Sequence, residues 1–434
     1  MSADGNTSSE STLFSEHVQA RHCIDVLTDK NLSKSQHATA LSQLRCIFDR
    51  YLECPTLLDS HLEEMITQLA ESARLHLMSE NTPYILSALY ALSKVRGRKR
   101  IQRFLPHESR DVEPVFVALQ ELENRCSPSS SLGMTGPQTW ESVYVLWIWL
   151  EMLSLVPFDC LVLSDDSLVP SIVILARSHL SHAGPTRETA ASCLASWLSR
   201  RDMSGELDCF IQWSHGVLVE FQQTLRNVVL VMGVLQTLAK LAKTATNQTH
   251  VGMEPLWEPA LAIAETQSTM LMRKLFVKWF SRMGCAYLPP RVASWRYQRG
   301  RRSLLENLES SRTKKSAPVI ESMAADTDEL FHVPDQVEDA MGLLLQSLTD
   351  SSTVVRWSAA KGVGRITERL PAICADDVLD FILALCRDPE KDHAWHGACL
   401  ALAELARRGL LLPTRLGDVV PLVVKAVQVR KCQT

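Results

Sequence analysis

The sequence lacks a hydrophobic run long enough to cross a bilayer. Its longest apolar stretch, Val143 to Phe158, is interrupted by Glu151, Ser154 and Pro157 and falls short of the roughly 20 residues a span requires. It reads as a buried helix. Aromatic residues make up only 6%, and 17 glycines and 19 prolines are too few in 434 residues for a hairpin-rich chain, which disfavours an all-β sandwich or barrel. Neither sign of charge is in excess: 45 Lys and Arg face 49 Asp and Glu, a net of −4. No global field therefore points to nucleic acid, an anionic membrane or a polyanionic substrate. The 12 cysteines form no C-x-x-C or C-x-C pair. Cys23, Cys46, Cys193, Cys285, Cys374 and Cys399 lie in apolar periodic stretches and are expected to pack as small hydrophobes. Residues 1–12 are polar, with no basic or apolar region of a signal peptide, and read as a disordered lead. The cytosol is the default compartment.

Recognisable chemistry is missing too. There is no phosphate loop, no G-x-S-x-G elbow, no kinase signature and no H-E-x-x-H; His107-Glu108 has no second histidine. Gly362 and Gly364 give part of a dinucleotide fingerprint but follow no strand, so they read as packing glycines. His393 and His396 could share a helical face for zinc, yet no third ligand is evident. No cofactor and no metal are expected, and no catalytic residue is assigned.

What the chain does have is helical periodicity punctuated by proline. Leu41, Leu44, Ile47, Phe48, Tyr51 and Leu52 fall along one face of a helix, and the stretches Leu225 to Lys243 and Met270 to Met283 behave alike. Repetition follows. Asp350, Val355-Arg356-Trp357, Ala359-Ala360 and Gly364 return 38 residues later as Asp388, Ala394-Trp395, Gly397-Ala398 and Leu402. Pro185-Thr186-Arg187, Ala190-Ala191 and Trp197 carry the same Arg to Ala-Ala spacing. The pattern resembles HEAT repeats. Small residues one turn beyond the Arg let neighbouring helices reach the 8–10 Å of normal packing, and the Asp can accept hydrogen bonds from orphan amides at a helix start. The expected fold is all-α, an α-solenoid of HEAT/armadillo-like repeats, with roughly eight to ten two-helix units in one elongated array.

The expected organisation is a lead at 1–12, an N-terminal helical array at 13–308, a flexible linker at 309–334, a second set of repeats at 335–427 and a tail at 428–434. Residues 126–138 read as a flexible loop of turn formers. The linker starts basic, with Arg312, Lys314 and Lys315, and turns acidic at Glu321, Asp326, Asp328 and Glu329. The helix at 417–427 is expected to expose an apolar face that includes Val419, Leu422, Val423 and Ala426.

Two basic clusters are the candidate partner-binding residues. The first is Arg96, Arg98, Lys99, Arg100 and Arg103; the second is Arg291, Arg296, Arg299, Arg301 and Arg302, interleaved with Trp295 and Tyr297. Spacing at 296, 299 and 302 places three arginines on one helical face. Arginine beside aromatics is a common interface composition, whereas RNA binding needs more stacking platforms than are present. An acidic protein surface is the favoured partner; a solvated helix face that offsets a helix dipole is the plainer reading.

Particular strings carry more than periodicity. Val292-Ala-Ser-Trp-Arg-Tyr-Gln-Arg-Gly300, Thr353 to Arg365, Ala394 to Pro413, Lys94-Val-Arg-Gly97, Phe104-Leu-Pro-His-Glu108, Asp111-Val-Glu-Pro114 and Val156-Pro-Phe-Asp159 resemble stretches of the tubulin-specific chaperone D family, in family order from about Leu41 to Val427. The resemblance implies a non-enzymatic helical scaffold that captures β-tubulin, joins cofactor E carrying α-tubulin, and works with cofactor C in GTPase activation of tubulin. It also implies binding of an ADP-ribosylation-factor-like small GTPase, dissociation of tubulin dimers, and a place in the cytoplasm, at the cytoskeleton and centrosome and at cell junctions. The chain departs from the family in stopping about a third of the way along its length and in a less acidic linker. The tail 428–434 has no family counterpart and suggests a splice product or an incomplete gene model. A HEAT-type adaptor of the karyopherin or armadillo kind, binding a small GTPase or peptide cargo, has the same architecture; an enzyme has no supporting constellation.

Overall fold

The computed structural model describes residues 14–125, 137–159, 168–244, 247–266, 269–290, 295–296, 332–387 and 391–431. Among the described residues every regular element is helical. Two compact units are present: residues 1–210 with 227–237, and residues 211–226 with 238–434. Most of the expected loop at 126–138, residues 126–136, and most of the expected linker at 309–334, residues 309–331, lie outside the described residues.

The first unit is built of helix pairs: α1 (His17–Thr28) with α2 (Lys34–Asp49), α3 (Asp59–Leu75) with α4 (Thr82–Arg96), α6 (Val112–Arg125) with α7 (Thr139–Leu153), and α8 (Leu168–His179) with α9 (Pro185–Leu198). The short α5 (Arg98–Ile101) follows α4. Helices α2, α4, α7 and α9 pack on one another in succession, and α1, α3, α6 and α8 each lie on the second helix of their own pair. Sequence explains the division of labour. Helix α3 buries only the stripe Leu62, Met65, Ile66, Leu69, Ala70 and Ala73, the period of a helix with one solvent face. Helix α7 buries residues on every face, with Trp147 and Trp149 wholly inside. Its two buried carboxylates have partners: Arg45 reaches Glu141 at 2.5 Å and Ser192 donates to Glu151 at 3.0 Å.

Helices α10 (Ser204–Thr224) and α11 (Val228–Thr244) each contribute residues to both units. The helix expected from Leu225 begins three residues later. Leu225 and Asn227 have φ of 54° and 63°, left-handed values that cannot continue an α-helix. The Leu225 amide closes α10 by bonding the Phe221 carbonyl at 2.8 Å.

The second unit holds α12 (Asn247–Gly252), α13 (Trp257–Thr266), α14 (Met270–Tyr287), α15 (Asp335–Ser347), α16 (Thr353–Thr367), α17 (Ala372–Ala384), α18 (Asp392–Arg407) and α19 (Leu416–Lys431). Here α14, α16 and α18 pack in succession, with α15 on α14 and α16 and with α17 on α16 and α18. The repeat read from sequence is visible in this stack. Ala359, Ala360 and Ala398 are fully buried, and Trp357 and Trp395, equivalent by the 38-residue shift, are each covered by a lysine, Lys361 at 4.4 Å and Lys425 at 5.4 Å from the ring centre. Gly397, in the register of Ala359, approaches so closely that a Cβ would overlap the Leu348 carbonyl.

Two expectations need correction. Cys46 is exposed, because it points off the buried stripe of α2, whereas Cys23 and Cys193 are buried as expected. On α19 the exposed apolar face is rotated from the expected one. Val419 is buried and Leu422 and Ala426 are half-buried, while Val420, Val423, Val424 and Val427 face solvent.

Candidate functional site

The HEAT-like turn before α16 is organised by a pair of arginines from different helices. Asp350 accepts from the Ser352 amide at 2.7 Å and from Arg273 of α14 at 2.6 and 3.1 Å. Burial pushes the Asp350 carboxyl up, but Arg273 and the amide outweigh it, so its pKa lies below the ordinary value. Arg356 is itself buried and donates to the carbonyls of Asp350 and Ser351 at 2.5 and 2.9 Å, to Thr353 at 2.9 Å and to Nδ1 of His396 at 3.2 Å. Its Nη1 lies 3.3 Å from Nδ1 of His393. The two histidines considered for zinc thus turn the same ring nitrogen to a guanidinium, an arrangement opposed to a cation site. Among the described residues no group of three or more His, Cys, Asp or Glu is placed to hold a metal ion.

The first basic cluster divides in two. Arg96, in the last turn of α4, holds Asp59 of α3 with a two-point fork, its Nη2 at 2.5 Å from Oδ2. That hydrogen bond is the largest cause of a lowered Asp59 pKa. Arg98 is half-buried and 3.7 Å from Glu151. Gly97 turns the chain at a φ of 92°, and Ile101 is buried, so α5 is pinned to the unit. Lys99, Arg100 and Arg103 are left exposed as a small cationic rim.

Of the second cluster only Arg296 is described; Arg299, Arg301 and Arg302 lie outside the described residues. Arg296 Nη1 is 3.7 Å from Glu368, and the neighbouring Trp295 donates to the Leu370 carbonyl at 3.2 Å. Glu368 also pairs with Arg408, which lies 3.6 Å from Glu404. Single-sequence reading missed Arg408 and Glu368, because local spacing cannot pair residues on elements so far along the chain from residue 296. The only local signal was the basic character of helix ends.

The strings that carry the family resemblance prove to hold repeats together. The 104–108 string is tied at its middle and its end: Trp149 donates to the Pro106 carbonyl at 2.7 Å, and Arg74 pairs at 2.8 Å with Glu108 and, in the next string, with Asp111. The 156–159 string is clamped by Arg200, whose guanidinium bonds the carbonyls of Ser154, Val156 and Phe158 at 2.8, 2.8 and 2.6 Å. Lys94 reaches Asp49 at 2.8 Å.

Comparison with known proteins follows the same layout. The model described as tubulin-specific chaperone D-like, ARM repeat, matches residues 48–218, and the one described as tubulin-specific chaperone D-like, ARM repeats, matches residues 271–433. Together they take in most of the chain. It belongs to the tubulin-specific chaperone D family. Its helical repeats are the ARM-type solenoid class of that family. A tubulin-specific chaperone D of Dictyostelium discoideum is 26% identical over 541 aligned residues, covering 96% of this chain and 36% of the relative. A tubulin-folding cofactor D of Schizosaccharomyces pombe is 26% identical over 424, covering 92% and 35%. The chain therefore spans about a third of the length of the curated relatives it matches.

Proposed function

We propose that the chain is a tubulin-engaging chaperone scaffold: it captures β-tubulin, takes part in assembly and disassembly of the α/β-tubulin heterodimer, and supports GTPase activation of tubulin without supplying a catalytic residue. Its partners in this reading are β-tubulin, tubulin-folding cofactors C and E and an ADP-ribosylation-factor-like small GTPase, in the cytoplasm and at the cytoskeleton. The observation that supports it most is the match of both repeat regions to chaperone D models, together with relatives named for tubulin folding. Stacked repeats suit this work. Each interface is small and deforms a little, so the array can adjust to a large folded client.

The exposed cations Lys99, Arg100 and Arg103, with Arg296, Arg299, Arg301 and Arg302, are the proposed contacts for an acidic client surface; Arg96 and Arg98 orient that rim. The deciding experiment is affinity purification of the 434-residue chain from a lysate supplemented with purified tubulin, beside a full-length relative. Retention of β-tubulin by both is expected. Retention by the relative alone would overturn the reading for this chain, and recovery of a small GTPase without tubulin would replace it with the adaptor.

A further inference from the structure

The C-terminal ends of three helices in the second unit meet around an open groove of ≈ 470 Å³. Its charged lining is Lys243 from α11, Arg282 from α14, and Arg365, Glu368 and Arg369 at the end of α16, with His250 of α12 beside them. Among the described lining residues Glu368 is the one carboxylate, and it already pairs with Arg408 and lies 3.7 Å from Arg296. Helix C-termini carry about half a negative charge each, and those of α11 and α14 are taken up by Arg282 and Arg369, which leaves Lys243 and Arg365 as the exposed cations of the groove.

Two of those cations are partly committed to helix ends. Arg369 donates to the Cys285 carbonyl and, at 3.3 Å, to that of Leu288; Arg282 donates to the Ala239 carbonyl. The rest of the site is open. Arg282 Nε is buried without a hydrogen-bond partner, a donor that is costly unless something accepts from it; His250 is already engaged, its Nε2 donating to the Ala242 carbonyl at 3.3 Å. Lys243 and Arg365 are exposed and make no ion pair among the described residues. Arg282 feels both burial and the like charge of Arg365, which together push its pKa down to about 10.

We propose that this groove binds an acidic peptide segment, a stretch of chain carrying several Asp or Glu carboxylates. Its cations are spread over three helices and alternate with apolar Leu288 and Pro290, which fits an extended chain better than a compact oxoanion. The backbone presented is carbonyl, whereas phosphate sites use amides at helix N-termini. Guanidinium forks match carboxylates in two-point geometry. The inference stands on the charge geometry of this unit and not on the tubulin assignment.

The test is fluorescence anisotropy of a labelled oligoglutamate with the full 434-residue chain, against oligoglutamine, inorganic phosphate and oligouridylate at matched ionic strength. Saturable binding of oligoglutamate alone is expected. The Lys243→Glu/Arg365→Glu double variant, changed only at exposed positions, should bind about tenfold or more weakly with unaltered thermal unfolding. Equal binding of oligoglutamine, displacement by phosphate, tighter binding of oligouridylate or an unaffected double variant would each overturn the proposal. A chain that binds oligoglutamate but retains no tubulin would keep this inference and remove the chaperone reading.

Discussion

Arg356 of α16 donates through Nε to Nδ1 of His396 on α18 at 3.2 Å, a part-buried hydrogen bond that, with the Nη1 contact to His393, joins two inner helices across a repeat boundary. The accepting nitrogen must carry its lone pair, so the imidazole is held as the tautomer with its proton on Nε2. The same guanidinium closes the turn at Asp350 and Ser351.

Replacing Arg356 by Leu should cost about 1–3 kcal/mol, because two turn carbonyls in a part-buried place lose a charged donor. Lys should not rescue it, since one ammonium cannot reach the turn and the imidazole at once. Urea denaturation of the two variants checks this; a loss under about 0.5 kcal/mol, the scale of an ordinary surface substitution, would remove Arg356 from the set of structural residues.

Glycines in this unit should answer in opposite directions. Gly397→Ala places a methyl onto the Leu348 carbonyl and should destabilise by about 2 kcal/mol or more. Gly342→Ala, inside α15 with nothing within 4 Å, should stabilise by about 0.5–1 kcal/mol. Thermal melts of the pair provide the comparison, and a Gly397→Ala protein as stable as the parent would refute the close approach.

In the first unit, His179 is fully buried against Trp147, and burial first, then His182, pushes its pKa down to about 4. A base with a depressed pKa binds fewer protons folded than unfolded. Its contribution is intact above about 6.5 and is lost as the pH falls toward 4, by about 3 kcal/mol in all. Glu123, 3.3 Å away, has a pKa raised by burial and acts oppositely, losing its contribution as the pH rises. Stability measured from pH 7 to pH 4 should flatten in His179→Leu and steepen in Glu123→Gln; parallel curves for all three proteins would contradict the assignment.

Charge reversal at Lys99, Arg100 and Arg103 should lower tubulin retention and its sensitivity to salt without moving the melting temperature. Arg96→Glu should instead lower stability, by setting two carboxylates against each other at Asp59. Retention and melting, measured side by side, separate the roles; unchanged retention in the triple variant would take the rim out of the client contact.

Helices and repeat register were readable because burial imposes a period on the chain itself: Leu62, Met65, Ile66 and Leu69 display it without reference to any partner. Ala360 and Ala398, fully buried and equivalent by the repeat shift, showed the register for the same reason. The fate of each arginine was not readable. Whether Arg96 is bound or Arg100 exposed depends on Asp59, at the start of the paired helix α3, and the groove cations come from helices that only tertiary packing brings together. The histidines at 393 and 396 could be seen to share a helical face with no third ligand beside them, but not what they face: the guanidinium they turn to, that of Arg356, sits on the preceding inner helix.

The two classes of helix also set how the sequence can drift. An inner helix such as α7, enclosed on all sides, tolerates exchange among apolar residues of similar volume but hardly any charge, whereas an outer helix such as α3 is constrained along one stripe and free elsewhere. Substitution then accumulates at two speeds in alternate helices. A repeat chain can fall to 26% identity with its relatives mainly through its outer rows, leaving the volume of the inner row almost untouched.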